Sequence, residues 1–170
     1  CIQGPNDPIL KPNEAKKLDY EAEVALVIGK KAKYVKLENA QDYVFGYCIV
    51  NDVSERSWQK DRGGQWIKGK SVAGNCGPYL VTKNEIKDIN NLNLSLSVND
   101  EMRQNGNTSR MIFNFNFLIH HISQFMVLYP GTIITTGTPA GTAMEMEKPK
   151  FLNDGDKVHI KIDSLGEQIH

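Results

Sequence analysis

The hydrophobic pattern along the chain predicts short β-strands separated by turn residues. Apolar or alternating runs occupy Glu21–Ile28, Tyr43–Val50, Tyr79–Thr82, Leu92–Val98, Ile133–Thr136 and Val158–Ile162. The clearest of these is Leu92–Val98, which alternates apolar and polar residues with the period of two that a half-buried antiparallel strand requires. Asn99 and Asp100 follow it and predict a hairpin turn.

Helical periodicity is less frequent. Leu37–Tyr43 and Ser54–Lys60 predict short helices, and apolar residues at three- and four-residue spacing predict a longer helix over Ser109–Met126. No internal repeat, low-complexity tract or linker interrupts the pattern. We therefore predict one α+β domain over residues 1–170, with more β than α.

Composition and charge narrow the classes of partner. The chain has 170 residues with 40% hydrophobic residues, and its 20 Lys and Arg balance its 20 Asp and Glu. These values are typical of a globular domain, and the absence of a basic cluster argues against a nucleic-acid partner. The apolar runs are shorter than the roughly 18–20 residues that span a bilayer, so no membrane partner is expected.

The cysteines indicate a reducing compartment. Three cysteines cannot complete a disulfide framework, and no C-x-x-C pair is present. Cys48 lies in an apolar run and is predicted to be a buried free thiol. We expect the protein in the cytoplasm, with an organelle matrix as the alternative.

Three acidic residues form a candidate metal site. Glu21 and Glu23 are two residues apart on a predicted strand, so both carboxylates emerge on the same face. Asp52 follows Asn51 at the end of the next strand. The alternatives are a solvated strand face for the glutamates and a helix N-cap for Asp52. If the three converge, their all-oxygen donor set suits Mg²⁺ or Mn²⁺ better than Zn²⁺.

Two further segments have side chains or backbone groups suited to an anionic substrate. Lys70 follows Gly69, and Thr135–Gly141 forms a glycine-containing turn that can present backbone N–H groups to a carboxylate. The alternatives are a solvated surface lysine and a plain tight turn. No G-x-S-x-G motif occurs, which disfavours a Ser-His-Asp hydrolase.

Taken in chain order, these segments resemble the fumarylacetoacetate hydrolase family. The resemblance rests on Leu18–Lys30, Gly46–Arg56, Gly69–Ser71, Val98–Gln104 with Thr108 and Ser109, and Thr136–Gly141. The stretch from Phe151 to Gln168 is most similar to 2,4-diketo-3-deoxy-fuconate hydrolases and ureidoglycolate-lyase-like proteins. The resemblance implies a mostly β, rolled mixed sheet like that of the family's C-terminal domain, and a homodimer.

The same resemblance implies a role for each matching position. It makes Glu21, Glu23 and Asp52 ligands of Mg²⁺, with Mn²⁺ or Ca²⁺ as alternatives, and Lys70 the catalytic residue. It also implies substrate-binding roles for Arg56, Gln59, Thr138, Arg103 and Gln104, the last two on a loop that approaches the site.

The implied reaction is divalent-metal-dependent hydrolysis of a C–C bond in a small 2,4-dioxo acid, through a metal-stabilised enolate with Lys70 beside the oxyanion. Decarboxylation or enol–keto isomerisation of a 2-oxo acid on the same metal site is the alternative, as is a metal-binding relative without turnover.

Hydrolases of the family commonly carry a His–Glu pair before the E-x-E strand, and none of the 20 residues before Glu21 is histidine. We therefore expect an N-terminal lid segment to be missing from the chain.

Overall fold

The computed structural model describes residues 1–61, 69, 70, 72 and 74–170, and most of its regular structure is β. The strands are β1 (Ile2–Gln3), β2 (Leu18–Asp19), β3 (Ala22–Ile28), β4 (Val44–Asn51), β5 (Ser54–Glu55), β6 (Gly74–Thr82), β7 (Asn93–Val98), β8 (Glu101–Asn107), β9 (Ile133–Thr135), β10 (Val158–Ile162) and β11 (Gly166–Ile169). The α-helices in this part are α1 (Arg56–Lys60) and α2 (Phe115–Phe125). Short 3-10 helices span Leu37–Tyr43, Lys83–Glu85, Ile89–Asn91, Thr108–Arg110 and Ala143–Glu145. Ser71, part of one matching segment, lies outside the described residues.

The strands form two main sheets. Within the described residues, a five-stranded sheet has the order β1-β6-β4-β3-β9, and a four-stranded sheet has the order β11-β10-β7-β8. Strands β1 and β6 pair in parallel, whereas β3 pairs antiparallel with both β4 and β9. The short strands β2 and β5 form a separate antiparallel pair. The prediction of an α+β fold, mostly β with a rolled mixed sheet, is confirmed.

The main hydrophobic core fills the space between the two sheets. Residues on one face of β3, such as Leu26, pack there with Ile49 of β4 and with Leu96 and Ile160 of the second sheet. The other face of β3 is also buried, which explains why all seven of its residues are inaccessible. Strand β3 is therefore an internal strand covered on both faces, and its residues are held firmly in place.

The predicted strands are present, with shifted ends. Strand β6 begins at Gly74, five residues before the predicted Tyr79, because Gly77 and Cys76 pair with β4. Asn99 and Asp100 both have positive φ angles, of 50° and 66°, and they connect β7 to β8 as the predicted hairpin turn. Arg103 and Gln104 were expected on a loop; they lie in β8, which pairs with β7 along its length.

Two of the three predicted helices begin later than predicted. The long helix begins at Phe115 rather than Ser109, because the Asn114 side chain caps it by accepting a hydrogen bond from Phe117 N at 2.9 Å. Ser54 belongs to β5, so the helix predicted over Ser54–Lys60 begins at Arg56. The short helix predicted over Leu37–Tyr43 is present with these bounds, as a 3-10 helix. Among the residues that the structure describes, no helix has the length and apolar character needed to cross a membrane.

Candidate metal centre

Strand pairing brings the three predicted carboxylate ligands together. Glu21 directly precedes β3 and Glu23 is its second residue, so both side chains lie on the same face. In the neighbouring strand β4, Asn51 pairs with Ala22, and Asp52 N donates a hydrogen bond to Glu21 O at 3.0 Å. One carboxylate oxygen from each of Glu21, Glu23 and Asp52 lies within 4.8 Å of the other two. The register of two adjacent strands thus creates the cluster.

Glu23 is the most deeply buried carboxylate of the cluster, with 3% of its surface exposed. Burial raises its pKa to about 8, and the nearby charges of Asp52 and Glu21 act in the same direction. Gly137 N donates a hydrogen bond to Glu23 Oε2 at 2.8 Å, which partly offsets this rise. In the absence of a cation, Glu23 therefore holds a proton at neutral pH.

Arg56 fixes the orientation of Glu21 from behind the cluster. Its Nη2 donates to Glu21 Oε1 at 2.7 Å and its Nε donates to Asp19 Oδ2 at 2.9 Å. The guanidinium is buried, and Asp19 is held in turn by the backbone N–H groups of Ala143 and Met144. This network leaves Glu21 Oε2 as the oxygen that faces the other carboxylates and Lys70.

Lys70 lies beside the carboxylates, as the sequence interpretation requires. Its ammonium group donates to Glu21 Oε2 at 2.5 Å and forms an ion pair with Asp52 Oδ2 at 3.0 Å. It also donates to the Ser54 hydroxyl. The side chain is 28% exposed, so the amino group is held by the cluster while part of the residue reaches solvent.

The predicted substrate-binding residues divide into two groups. Gln104 and Thr138 are bonded to the backbone of Ala22, the residue between the two glutamates. Ala22 N donates to Gln104 Oε1 at 3.0 Å, Thr138 Oγ1 donates to Ala22 O at 2.9 Å, and Gln104 Nε2 donates to Thr138 Oγ1 at 2.8 Å. Arg103 is directed elsewhere, because neighbouring strand residues point to opposite faces. It donates to Glu101 Oε2 at 3.0 Å and to the Met146 sulfur at 3.3 Å and also interacts with the Tyr20 hydroxyl, and none of its described hydrogen bonds is with the three carboxylates.

Arg56 and Gln59 form part of the support of the cluster. Arg56 Nη1 donates to Gln59 Oε1 at 3.1 Å, and both side chains are almost fully buried. The Gln59 Nε2 atom is buried without a hydrogen-bond partner among the described residues. All three nitrogens of the Arg56 guanidinium donate to Asp19, Glu21 and Gln59, so this side chain supports the cluster from behind.

Sequence reasoning missed three residues that hold the cluster. Asp19 accepts the Arg56 hydrogen bond, Ser54 contacts both Glu21 and Lys70, and Asn51 Oδ1 accepts from Glu21 N at 3.0 Å. The only sequence signal for Asp19 was an acidic residue between the apolar residues Leu18 and Tyr20. Such a residue is expected to be buried with a partner, but its partner cannot be identified from sequence.

A separate apolar cavity of about 470 Å³ lies on the opposite side of β3. Ala22 and Val24 line it from the strand, and Gly137 and Thr138 form another part of its wall. Because residues alternate along a strand, Ala22 and Val24 face away from Glu23. The turn containing Gly137 and Thr138 thus borders both the carboxylate cluster and this cavity.

Comparisons with known proteins agree with the fold. A family profile described as fumarylacetoacetate (FAA) hydrolase C-terminal matches residues 1–170. A relative from Burkholderia cenocepacia is 50% identical over 171 residues, which cover 99% of this chain and 61% of the relative. The mitochondrial oxaloacetate tautomerase Fahd2a of Rattus norvegicus is 47% identical over 167 residues, covering 97% of this chain and 53% of that protein.

A solved structure of a related protein has the same fold as this chain. The fumarylacetoacetate hydrolase of Exiguobacterium antarcticum superposes with a TM-score of 0.92 at 38% identity, over 98% of this chain and 60% of that chain. The present chain thus spans about three-fifths of the length of several proteins it matches.

Proposed function

Because the chain belongs to the fumarylacetoacetate hydrolase C-terminal family, we propose that it is the metal-binding catalytic domain of a Mg²⁺-dependent enzyme that cleaves a C–C bond in a 2,4-dioxo acid. The observation that carries this proposal is the approach of Glu21, Glu23 and Asp52 oxygens to within 4.8 Å of one another. Carboxylate oxygens are the ligands that Mg²⁺, Mn²⁺ and Ca²⁺ prefer, and among the described residues no cysteine or histidine belongs to this cluster.

The charge of the surroundings supports a divalent cation. Asp19, Glu21, Glu23 and Asp52 supply four carboxylates, and the described cations that pair with this group are Arg56 and Lys70. When all six groups are ionised, four negative charges face two positive charges. One Mg²⁺ ion would balance the remaining two negative charges. Burial first, and then the negative charges of Asp52 and Glu21, raise the pKa of Glu23.

The side chains around the cluster have distinct parts in this proposal. When bound, the cation supplies Lewis-acid polarisation of an oxo group of the substrate. Arg56 and Asn51 keep Glu21 in place, so the ligand set does not need to reorganise. Lys70 holds a positive charge at the border of the cluster, where it can stabilise negative charge that develops on a substrate oxygen.

Keto–enol tautomerisation of a 2-oxo acid is the second candidate. It is favoured by the similarity to the rat oxaloacetate tautomerase, which is 47% identical over 167 residues. Both reactions require stabilisation of negative charge on the oxygen of an enolate, and hydrolysis additionally requires an activated water molecule. The substrate and its products distinguish the two candidates.

The main test measures both reactions with and without divalent cation. The purified protein is treated with EDTA, and acetylpyruvate and oxaloacetate are followed by absorbance with product analysis. We expect Mg²⁺ to restore the formation of pyruvate and acetate from acetylpyruvate. Conversion of enol to keto oxaloacetate without C–C cleavage would favour tautomerisation, and loss of neither substrate with Mg²⁺, Mn²⁺ or Ca²⁺ would overturn both candidates.

Two variants test Glu21 as a metal ligand and Lys70 as a catalytic residue. Glu21→Gln should lower Mg²⁺ affinity measured by calorimetry about 10–100-fold. Lys70→Met should lower kcat about 10²–10³-fold while Mg²⁺ binding is retained or strengthened, because a competing positive charge is removed. Lys150→Met is the matched control, since this exposed lysine pairs with Glu101 and has no described contact with the cluster. Equal kcat in Lys70→Met and Lys150→Met would contradict a catalytic role for Lys70.

A further inference from the structure

Two cysteines that are distant in sequence meet on the sheet that carries the carboxylate cluster. Cys48 lies in β4 and Cys76 lies in β6, and their Sγ atoms are 3.7 Å apart. The two strands are adjacent, with Val50 paired to Cys76, and their register shifts between Tyr47 and Ile49. This irregularity places the diagonal side chains of Cys48 and Cys76 in contact. Sequence reasoning identified Cys48 as a buried thiol but gave no indication of this partner.

The two thiols differ in their exposure. Cys48 is 3% exposed and packs with Ala25, Val27 and Val50 in the second hydrophobic cluster. Cys76 packs against this cluster from the side and is partly accessible. An oxidant dissolved in water therefore reaches Cys76 first, and the sulfur nearest to the reacted Cys76 is that of Cys48.

The contact between the sulfurs also favours the reactive form of Cys76. Either thiol can donate the hydrogen bond between the two sulfurs, and its donation by Cys48 lowers the pKa of Cys76 to about 7. The same hydrogen bond, together with burial, raises the pKa of Cys48. Since a thiolate is the nucleophile in thiol oxidation, the more accessible cysteine is also the one with the larger reactive fraction at neutral pH.

We propose that Cys48 and Cys76 form a thiol oxidation site, at which a hydroperoxide converts the pair reversibly to a disulfide. In the first step, the Cys76 thiolate attacks the outer peroxide oxygen, the O–O bond breaks, and the alkoxide or hydroxide that leaves takes up a proton. In the second step, the Cys48 sulfur attacks the sulfenic acid of Cys76, and the S–O bond breaks as water leaves with the Cys48 proton. Two thiols are oxidised by two electrons, and the peroxide is reduced to an alcohol or water.

The geometry favours a disulfide over further oxidation of Cys76. A disulfide holds its sulfurs about 2.0 Å apart, and a small movement of the side chains closes the existing separation. The resolving thiol is already in contact when the sulfenic acid forms, so the second step is intramolecular. This proposal concerns β4 and β6 and does not depend on the reaction catalysed at the carboxylate cluster.

The test uses Cys1→Ser protein, because Cys1 is exposed and can form disulfides of its own. The protein is treated with hydrogen peroxide, the remaining thiols are alkylated under denaturing conditions, and intact mass and linked peptides are measured. We expect the mass of two hydrogen atoms to be lost, a Cys48–Cys76 peptide to appear, and dithiothreitol to reverse both changes. Unreacted thiols, or sulfinic and sulfonic acids at Cys76 in place of the linked peptide, would overturn the proposal.

Two variants separate the roles of the sulfurs. In Cys48→Ser, the sulfenic acid of Cys76 should accumulate and be trapped by dimedone, since its resolving thiol is absent. In Cys76→Ser, oxidation of Cys48 should slow about tenfold or more, because the remaining thiol is buried. Near-ultraviolet circular dichroism confirms folding of each variant, and the linked-peptide measurement on Cys1→Ser protein decides the proposal even if one variant does not fold. Equal oxidation rates of the single remaining cysteines would contradict the assigned order.

Discussion

Glu23 lies where burial and neighbouring charge act on one carboxyl group in the same direction. Its side chain is buried beside Glu21 and Asp52, and the resulting pKa of about 8 leaves it protonated at neutral pH without a cation. The two-residue spacing of Glu21 and Glu23 was readable from sequence, because the strand period is fixed. The position of Asp52 beside them could not be read from sequence, because it depends on the pairing of β3 with β4. The hydrogen bonds of Arg56 to Asp19 and Glu21 required the full fold.

The raised pKa of Glu23 predicts a pH-dependent affinity for Mg²⁺. A cation must displace the Glu23 proton below pH 8, so the apparent affinity should rise about tenfold per pH unit toward that value and level off above it. Isothermal titration of the EDTA-treated protein over this range measures the slope. In Glu23→Gln the slope should be absent, and the same slope in this variant would show that another group carries the proton.

At the scale of secondary structure, local patterns predicted strands better than helices. Val158–Ile162 was predicted with its observed bounds, and the turn at Asn99 and Asp100 followed from residues that tolerate positive φ. The apolar periodicity that predicted a helix over Ser109–Met126 begins before the α-helix does. Asn114 caps the α-helix, so the residues before it lie outside α2. The family resemblance assigned Arg103 and Gln104 to a loop, and the few strong strand formers in Glu101–Asn107 gave no independent signal for β8.

We predict that the turn containing Thr138 tolerates no side chain at Gly141. Gly141 has a φ of 108°, and a Cβ added there would lie 2.0 Å from the Arg103 carbonyl oxygen. Gly141→Ala should therefore lower the free energy of unfolding by about 2–5 kcal/mol through backbone strain and overpacking. Gly155 is the matched control, because its φ is 86° with nothing within 4 Å of an added Cβ. Gly155→Ala should cost about 1–2 kcal/mol in urea unfolding; equal costs would show that contact with Arg103 has no effect.

At the scale of the whole molecule, His170 joins the two sheets. Its ring Nε2 is 2.8 Å from Asn51 Nδ2, and Asn51 also accepts from Glu21 N. The residue follows β11 of the four-stranded sheet, whereas Asn51 ends β4 of the other sheet. Gln168 reaches across in the same way, donating to the Gly77 carbonyl at 2.8 Å. None of these contacts has a sequence signal, because each joins segments that are distant in the chain.

His170 predicts a loss of stability on acidification. Burial lowers its pKa to about 4 from a normal value of 6.5, so the unfolded chain takes up a proton in this interval and the folded protein does not. Its contribution is complete above pH 6.5 and is lost as the pH falls toward 4, by about 1–2 kcal/mol after allowance for partial exposure. The raised pKa of Glu23 acts in the opposite direction over much of this range.

The measurement is therefore the difference between wild type and His170→Gln in urea unfolding at several pH values. Wild type should lose more stability than the variant on acidification. Parallel pH profiles would show that the imidazole does not titrate in this interval. The expected homodimer remains a prediction, and sedimentation of the same samples measures it directly.

Strand β3 is paired on both edges, and we expect this pairing to form before the proposed cation binds. Backbone hydrogen bonds to β4 and β9 position Glu23, and Arg56 and Asn51 hold Glu21, so both glutamates are held by groups of the chain itself. Such a site differs from a zinc finger, in which folding and metal binding are a single equilibrium. Mg²⁺ should instead act as an ordinary ligand of a folded protein and stabilise it by about 2.7 kcal/mol at a hundredfold excess over its dissociation constant. A cation bound at the proposed site should therefore be lost and regained without refolding of the domain.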